Sequence, residues 1–304
     1  MLYDTIIIGG GAAGLSAALY NGRYGHKTLA LIGEGFEGST METWGVENYP
    51  GYLSINGTDL IEVLKKQAQN VGAELKEKYI HHISKKGKIF SVHYNNHYDE
   101  AKTIIYAAGT MRRKLGVPNE DILKGKGISY CATCDGPLFR NKLVGVVGGG
   151  DSAAKAALIL AEYTEKVYII IREESFTAEP INIQRASENP KIEVLFNSHI
   201  DEFIENNGML AGAKLHTGKI IDLVGLFIEI GGVANTEPIK KLNVEYTKNG
   251  YIKVDCTGET NLAGFFAAGD VSDAFGGFKQ IITAAAGGVV ASHSAHNYLV
   301  KNSK

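Results

Sequence analysis

Two stretches of this 304-residue chain share one grammar of apolar and small residues. Thr5-Ile-Ile-Ile runs into Gly9-Gly-Gly11-Ala-Ala-Gly14, and Leu143-Val-Gly-Val-Val runs into Gly148-Gly-Gly150-Asp-Ser-Ala153. A short unbroken apolar run rich in β-branched residues predicts a strand covered on both faces, and the glycines at its end predict a tight turn. The alanine-rich segments Leu15 to Tyr24 and Ala154 to Tyr163 then predict helices, followed by strands at Thr28 to Ile32 and Val167 to Ile171. Three further apolar runs, Thr103 to Ala108, Leu223 to Ile230 and Gly264 to Ala268, end in glycine and read as strands whose carboxyl ends face a ligand. Gln280 to Tyr298 reads as a closing helix. The alternation predicts an α/β fold of two doubly wound units, with boundaries at 1–112, 113–245 and 246–304, the second unit inserted in the first.

Composition narrows the chemistry. At about 150 residues per domain the length allows two domains, and 44% hydrophobic with 21% charged residues is globular in character. A net charge of −2 offers no basic field for nucleic acid. The 37 glycines are the outlier, gathered in short runs after strand-like segments. Three cysteines make no disulfide framework; with Cys131 and Cys134 in one Cys-x-x-Cys they point to a reducing compartment, the cytoplasm, and to a redox or metal role. No signal-like segment precedes the first strand and no run of 18 apolar residues occurs, so neither secretion nor a membrane is expected. The Asn56-Gly57-Thr58 sequon is then a chance match. No Gly-x-Ser-x-Gly or Walker-type run supports a hydrolase.

In a Gly-x-Gly-x-x-Gly turn the first glycine permits the bend, the second lets backbone approach a pyrophosphate, and the third lets helix pack on strand. The anion then sits on the unpaired amides and positive dipole end of the helix. Gly9, Gly11 and Gly14 therefore read as ligand-binding. Glu34, twenty positions past Gly14, is a candidate for ribose hydroxyls or else a solvated loop acid. The second turn ends in Ala153, an accepted substitution.

Zinc at the cysteine pair is disfavoured, because a structural site takes four ligands and no second Cys/His pair has matching spacing. Thiol chemistry fits better. A thiol of pKa ~8.5 is about 3% ionised at pH 7, and lowering it to ~7 raises the reactive fraction roughly fifteen-fold. Asp135 reads as a general acid/base for the exchange, or as a turn-forming Asp-Gly. Cys256 reads as a structural residue at a strand edge.

With Val46-Glu47-Asn48-Tyr49-Pro50-Gly51, Ala107-Ala108-Gly109-Thr110, Cys131-Ala-Thr-Cys134-Asp135-Gly136, Ala267-Ala268-Gly269-Asp270-Val271 and Lys279-Gln280, the chain resembles the low-molecular-weight thioredoxin reductases over nearly its whole length. The resemblance implies Rossmann-like FAD and NAD(P) domains. FAD is implied at Gly9, Gly11, Ala13, Gly14, Glu34, Thr40, Asn48, Ala108, Gly109, Gly269, Asp270, Lys279, Gln280 and Ile281. It also implies that Cys134 lies next to the flavin, that Cys131 attacks the disulfide of thioredoxin, and that Asp135 is the acid. A homodimer whose domains rotate is implied as well.

The chain departs from the pattern where a nicotinamide donor binds. NADPH-using relatives carry His-Arg-Arg and a further Arg; here the run is Ile171-Arg172-Glu173-Glu174-Ser175-Phe176-Thr177. Two missing charge-assisted bonds cost a 2′-phosphate ~3–6 kcal/mol. NADH stays open, since Glu173 lies twenty residues past Ala153, although NADH-type relatives place that acid where Ile171 stands. The chain is similar to ferredoxin-dependent flavin thioredoxin reductases, and flavins accept electrons singly or in pairs. Ferredoxin is therefore the expected donor, with Arg112, Arg113, Lys114, Lys124, Lys126, Arg140 and Lys142 as candidate docking charges. A deazaflavin donor, a ferredoxin–NAD(P) oxidoreductase and a flavin redox sensor are the alternatives.

Overall fold

The computed structural model describes residues 1–33, 38–43 and 45–302. Glu34 lies outside the described residues. The chain forms two compact units, Met1–Met111 with Val233–Lys304, and Arg112–Gly232.

In the first unit the strands Leu2–Ile8, Thr28–Ile32, Glu74–Glu77, the carboxyl half of His97–Tyr106 and Phe265–Ala267 pair in parallel. The long strand His97–Tyr106 also pairs through its amino half with the antiparallel hairpin Ile80–Lys86 and Ile89–Tyr94. Ile6, Ile7, Ile104 and Ile105 are wholly buried, as a strand covered on both faces requires. The helices Ala12–Arg23 and Ile281–Asn302 pack against one another, and Gly288 permits it, since a Cβ there would overlap the Ala13 carbonyl. Beneath them Asn21 donates to Ser292 Oγ at 2.8 Å and accepts from Thr5 Oγ1 at 3.0 Å, so that the buried amide is satisfied.

The second unit is a parallel sheet in the order Ile192–Leu195, Lys166–Ile170, Leu143–Val147, Gly225–Ile228, Ile128–Ser129. A three-stranded antiparallel sheet, Ile200–Asn206, Met209–Leu215 and Ile220–Asp222, accompanies it. Helix Asp151–Tyr163 follows the glycine turn.

Two expectations need correction. Residues 233–245 belong to the first unit, not the second. Ile239, Leu242 and Val244 pack among Ile83, Phe90 and Phe265 in the first core, and no periodic pattern along that segment announces their burial. Both alanine-rich helices also begin three residues earlier than predicted, because Gly11 and Gly150 are the extended caps and the remainder of each fingerprint is already helical. The sequon has a structural use: the Asn56 side chain accepts from Thr58 N at 2.9 Å and caps helix Gly57–Asn70.

Candidate functional site

The strand Leu2–Ile8 delivers Gly9 into a backbone region that side chains avoid, φ +124°. A Cβ at Gly9 would overlap the Ala107 carbonyl, and one at Gly14 would overlap the Gly9 carbonyl. The turn therefore excludes side chains at Gly9 and Gly14, and the first amides of helix Ala12–Arg23 have no partner within the helix. Across from them Gly269, also at positive φ, sits so close that a Cβ would come within 2.8 Å of the Ala13 methyl. Ala108 and Gly109 follow the strand His97–Tyr106, and the Gly109 carbonyl accepts from Asn235 N at 3.0 Å. Thr40 is buried, with its carbonyl against Gly57, where only a glycine fits.

Asp270, in the turn Gly269–Val271, and Lys279 line one small cleft that opens to solvent. Phe275 and Phe278 line it too. Asn48 Nδ2 donates to Gln280 Oε1 at 3.1 Å, joining two segments 232 residues apart, and Ile281 starts the closing helix. Lys279 Nζ stands 3.4 Å from the Tyr251 ring centroid. Phe275, Phe278 and Tyr251 were not legible as site residues. The Gly276-Gly277 pair was the available turn signal, and it does not disclose that Phe275 itself takes φ +56°.

Burial pushes the Asp270 carboxyl above its ordinary value, with Lys279 pulling it partly back. A raised folded-state value stabilises the fold below the unfolded value, and that stability is lost as pH rises through the folded one. At neutral pH the ionised group thus opposes folding. Asp270→Asn is expected to raise the melting temperature of flavin-free protein at pH 7, with the gain vanishing below about pH 4. Unchanged melting at both pH values would mean that the carboxylate is not desolvated.

In the second unit, Cys131 and Cys134 form a disulfide with Cα atoms 5.4 Å apart. Cys131 is the cap of the single turn Ala132–Asp135, and Cys134 N lies 3.1 Å from Cys131 Sγ, donating to it. A backbone donor aimed at one sulfur favours negative charge on that sulfur after reduction. Asp135 Oδ2 accepts from Ser129 Oγ at 2.6 Å. Just upstream the buried Glu120 accepts from Leu115 N, Gly116 N and the Tyr130 hydroxyl, anchoring the strand that leads into Cys131. Burial and that bond push the Tyr130 hydroxyl up. Neither Ser129 nor Glu120 carries a sequence signal, since their spacing to the cysteines fits any turn.

The second glycine turn has the shape of the first. Gly148 takes φ +137°, and a Cβ there would overlap the Glu229 carbonyl. The segment after strand Lys166–Ile170 folds back over it: Thr177 N donates to Gly149 O at 2.8 Å, and Asp151 accepts from Glu179 N and Asn182 Nδ2. Ile171 is wholly buried, and Arg172 is bonded to Glu173 at 2.7 Å.

The model of the pyridine nucleotide-disulphide oxidoreductase family matches residues 3–288. Thioredoxin reductases of Treponema pallidum and Streptomyces coelicolor are 37% and 39% identical, covering 98% and 97% of this chain and 97% and 94% of their own length. The chain belongs to the thioredoxin reductase family. The solved Lactococcus lactis thioredoxin reductase, in its FR conformation, superposes with a TM-score of 0.94 at 34% identity, over 98% of this chain and 99% of that one. A ferredoxin-flavin thioredoxin reductase from Clostridium acetobutylicum matches at 0.55 and 27%, over 99% of each chain. As a member of this family the protein is a flavoprotein disulfide reductase that uses FAD. The glycine turn Gly9 to Gly11 at the head of helix Ala12–Arg23, the close approach of Gly269 and the half-buried Asp270 fit that cofactor.

Two other expectations fail. The seven candidate docking cations do not form one face. Arg112 bonds to the buried Glu229 at 2.8 Å and Lys114 to Asp121 at 2.6 Å. Arg113 follows the carboxyl end of the sheet, bonded to Gly231 O, whereas Lys126 and Lys142 precede the amino ends of their parallel strands. Lys124 and Arg140 lie over the rings of Tyr130 and Tyr163. Cys256 is an exposed free thiol in a turn, not a strand-edge residue, because Asp255 closes that turn through Thr257 and Glu259. Among the described residues no group of three or more His, Cys, Asp or Glu is placed to hold a metal, and no helix is long and apolar enough to cross a membrane.

Proposed function

We propose that this chain reduces the disulfide of a thioredoxin through Cys131 and Cys134, with electrons delivered to FAD by reduced ferredoxin and not by a nicotinamide. The observation that carries the donor assignment is the run after Lys166–Ile170. Its first position is a wholly buried isoleucine, and its one arginine is engaged by the adjacent Glu173. A 2′-phosphate would have to displace that carboxylate and would meet Glu174 beside it, which opposes binding by like charge. The ferredoxin-flavin thioredoxin reductase of C. acetobutylicum is among the chains this one is similar to, at a lower identity and TM-score than the L. lactis thioredoxin reductase, so the donor assignment rests on the run after Lys166–Ile170.

Gly9, Gly11, Gly14 and the first amides of helix Ala12–Arg23 would hold the pyrophosphate, while Asp270, Asn48 and Gln280 would hold polar parts of the same cofactor. FAD held there would supply chemistry that accepts electrons one at a time, from two ferredoxins per turnover, and gives them up in pairs to a disulfide. Cys131, once reduced, is stabilised as a thiolate by the Cys134 N–H and attacks the thioredoxin disulfide. Asp135 supplies the proton to the leaving sulfur. Cys134 then attacks Cys131, which re-forms the enzyme disulfide and releases dithiol thioredoxin. A homodimer in a reducing cytoplasm belongs to the same reading, and the exposed Cys256 thiol is compatible with it.

The test is an anaerobic assay of the holoenzyme with oxidised thioredoxin and, in turn, NADPH, NADH, a reduced deazaflavin and reduced ferredoxin. Ferredoxin is expected to give the highest kcat/KM. Brisk turnover with micromolar NADPH would overturn the donor assignment and leave the dithiol chemistry standing. Failure of a flavin-reduced enzyme to reduce thioredoxin in a single turnover would favour a redox sensor.

A further inference from the structure

We infer that Ser129 is a positioning residue for the acid step, a hydroxyl that keeps Asp135 aimed in both of its protonation states; this rests on the reading of Asp135 as the acid. The serine is buried at the end of the strand Ile128–Ser129, two residues before the first cysteine. Its Oγ lies 2.6 Å from Asp135 Oδ2, 3.0 Å from Cys131 N and 3.4 Å from Cys131 O. The Cys131 N–H is a fixed donor to that oxygen, so Oγ always has one accepted bond. Its single proton has two acceptors, the Asp135 carboxylate and the Cys131 carbonyl.

That inventory suits a group that changes charge during turnover. With Asp135 ionised, Ser129 donates to the carboxylate, and this is the short bond in the structure. With Asp135 protonated, the carboxylic O–H can donate to Oγ while the Ser129 hydroxyl turns to the Cys131 carbonyl at 3.4 Å. A rotation about one C–O bond therefore satisfies both states without moving the backbone of the cysteine turn.

The proton balance uses both states. As the Cys131 thiolate attacks, the substrate S–S bond breaks and the leaving sulfur takes the Asp135 proton; the new carboxylate receives the Ser129 hydroxyl. When Cys134 attacks Cys131 Sγ of the mixed disulfide, its thiol proton passes to Asp135, and the released substrate thiolate takes a proton from water. The enzyme disulfide re-forms, and thioredoxin leaves with two thiols.

The surroundings contain few competitors. Among the described residues the Asp135 carboxylate has the Ser129 hydroxyl as its hydrogen-bond donor and takes part in no ion pair. The packed helix Asp151–Tyr163 carries Asp151, Lys155, Glu162 and Tyr163 as its titratable groups. Asp151 is engaged by Glu179 N and Asn182, and Tyr163 packs by Gly136 and beneath Arg140. The two sulfurs of Cys131 and Cys134 and the Tyr130 hydroxyl, the latter held by Glu120, complete the set.

The experiment is a double-mutant cycle on FAD-loaded enzyme reduced with dithionite under anaerobic conditions, mixed with oxidised thioredoxin, and followed by flavin reoxidation between pH 5.5 and 9.5. Ser129→Ala is expected to slow the single turnover about tenfold at pH 7, the worth of one charge-assisted bond, and to change the shape of the pH profile. Ser129→Thr, which keeps the hydroxyl, is expected to restore both, and Ser129→Ala is expected to add nothing in an Asp135→Asn background. Flavin absorbance and melting temperature report whether each variant is folded. If Ser129→Ala lowers the rate equally at all pH values and multiplies with Asp135→Asn, Ser129 is structural and the inference fails. If Asp135→Asn alone leaves the rate and pH profile unchanged, the acid assignment fails instead.

Discussion

Cys131→Ser and Cys134→Ser are each expected to cut single-turnover reduction of thioredoxin about a thousandfold or more, because each removes one half of a covalent relay. The two variants differ in what accumulates. Cys131 receives the Cys134 N–H at 3.1 Å and is the sulfur prepared to carry charge, so Cys134→Ser retains the attacking thiolate and lacks the resolving one. It should trap a mixed disulfide with thioredoxin, visible as a mass shift that a reductant reverses. Cys131→Ser should trap none. Both should bind FAD as the parent does, since the cysteines and the first glycine cradle belong to different units. Trapping by Cys131→Ser in place of Cys134→Ser would exchange the two roles, and normal turnover by either would end the dithiol mechanism.

Gly9→Ala is expected to yield protein with less than about a tenth of the parent flavin and a melting temperature lower by roughly 10 °C, the loss of a ligand present far above its dissociation constant. The cause is steric and specific. A Cβ at Gly9 would run into the Ala107 carbonyl at φ +124°, forcing apart the two strands whose ends frame the cradle. Gly25→Ala is the control. It also has positive φ, +76°, but no atom lies within 4 Å of its Cβ, so it should lose about 1–2 kcal/mol of backbone stability and none of its flavin. The ratio of absorbance at 450 and 280 nm, with melting curves taken with and without added FAD, separates the two. Equal flavin content in both variants would show that the turn at Gly9 is not the cofactor cradle.

Much of the site was legible because its chemistry is local. A phosphate cradle needs a turn without side chains at the head of a helix, and Gly9, Gly11 and Gly14 with Gly148 and Gly150 state that within six residues. The cysteine pair and Asp135 are equally compact. What failed to show were features held together by distant backbone. The basic residues of 112–142 are close in the chain, yet parallel strands carry them to opposite ends of one sheet. Residues 233–245 read as part of the second unit and belong to the first core, because Ile239, Leu242 and Val244 share a cluster with Ile83 and Phe90 from far earlier in the chain and with Phe265. Cys256 has no neighbour in the sequence that reveals the exposed turn around it.

The chain taken as a string of residues settles its two glycine cradles, its paired sulfurs and the missing arginines after the second strand of the inserted unit. Each of those depends on contacts within a few residues, where bond geometry and side-chain type decide the outcome. Folding alone decides that Asn48 meets Gln280 and that Gly269 meets Ala13. Those pairings are set by how strands and helices pack, and packing sums many weak contacts that no single stretch of sequence contains.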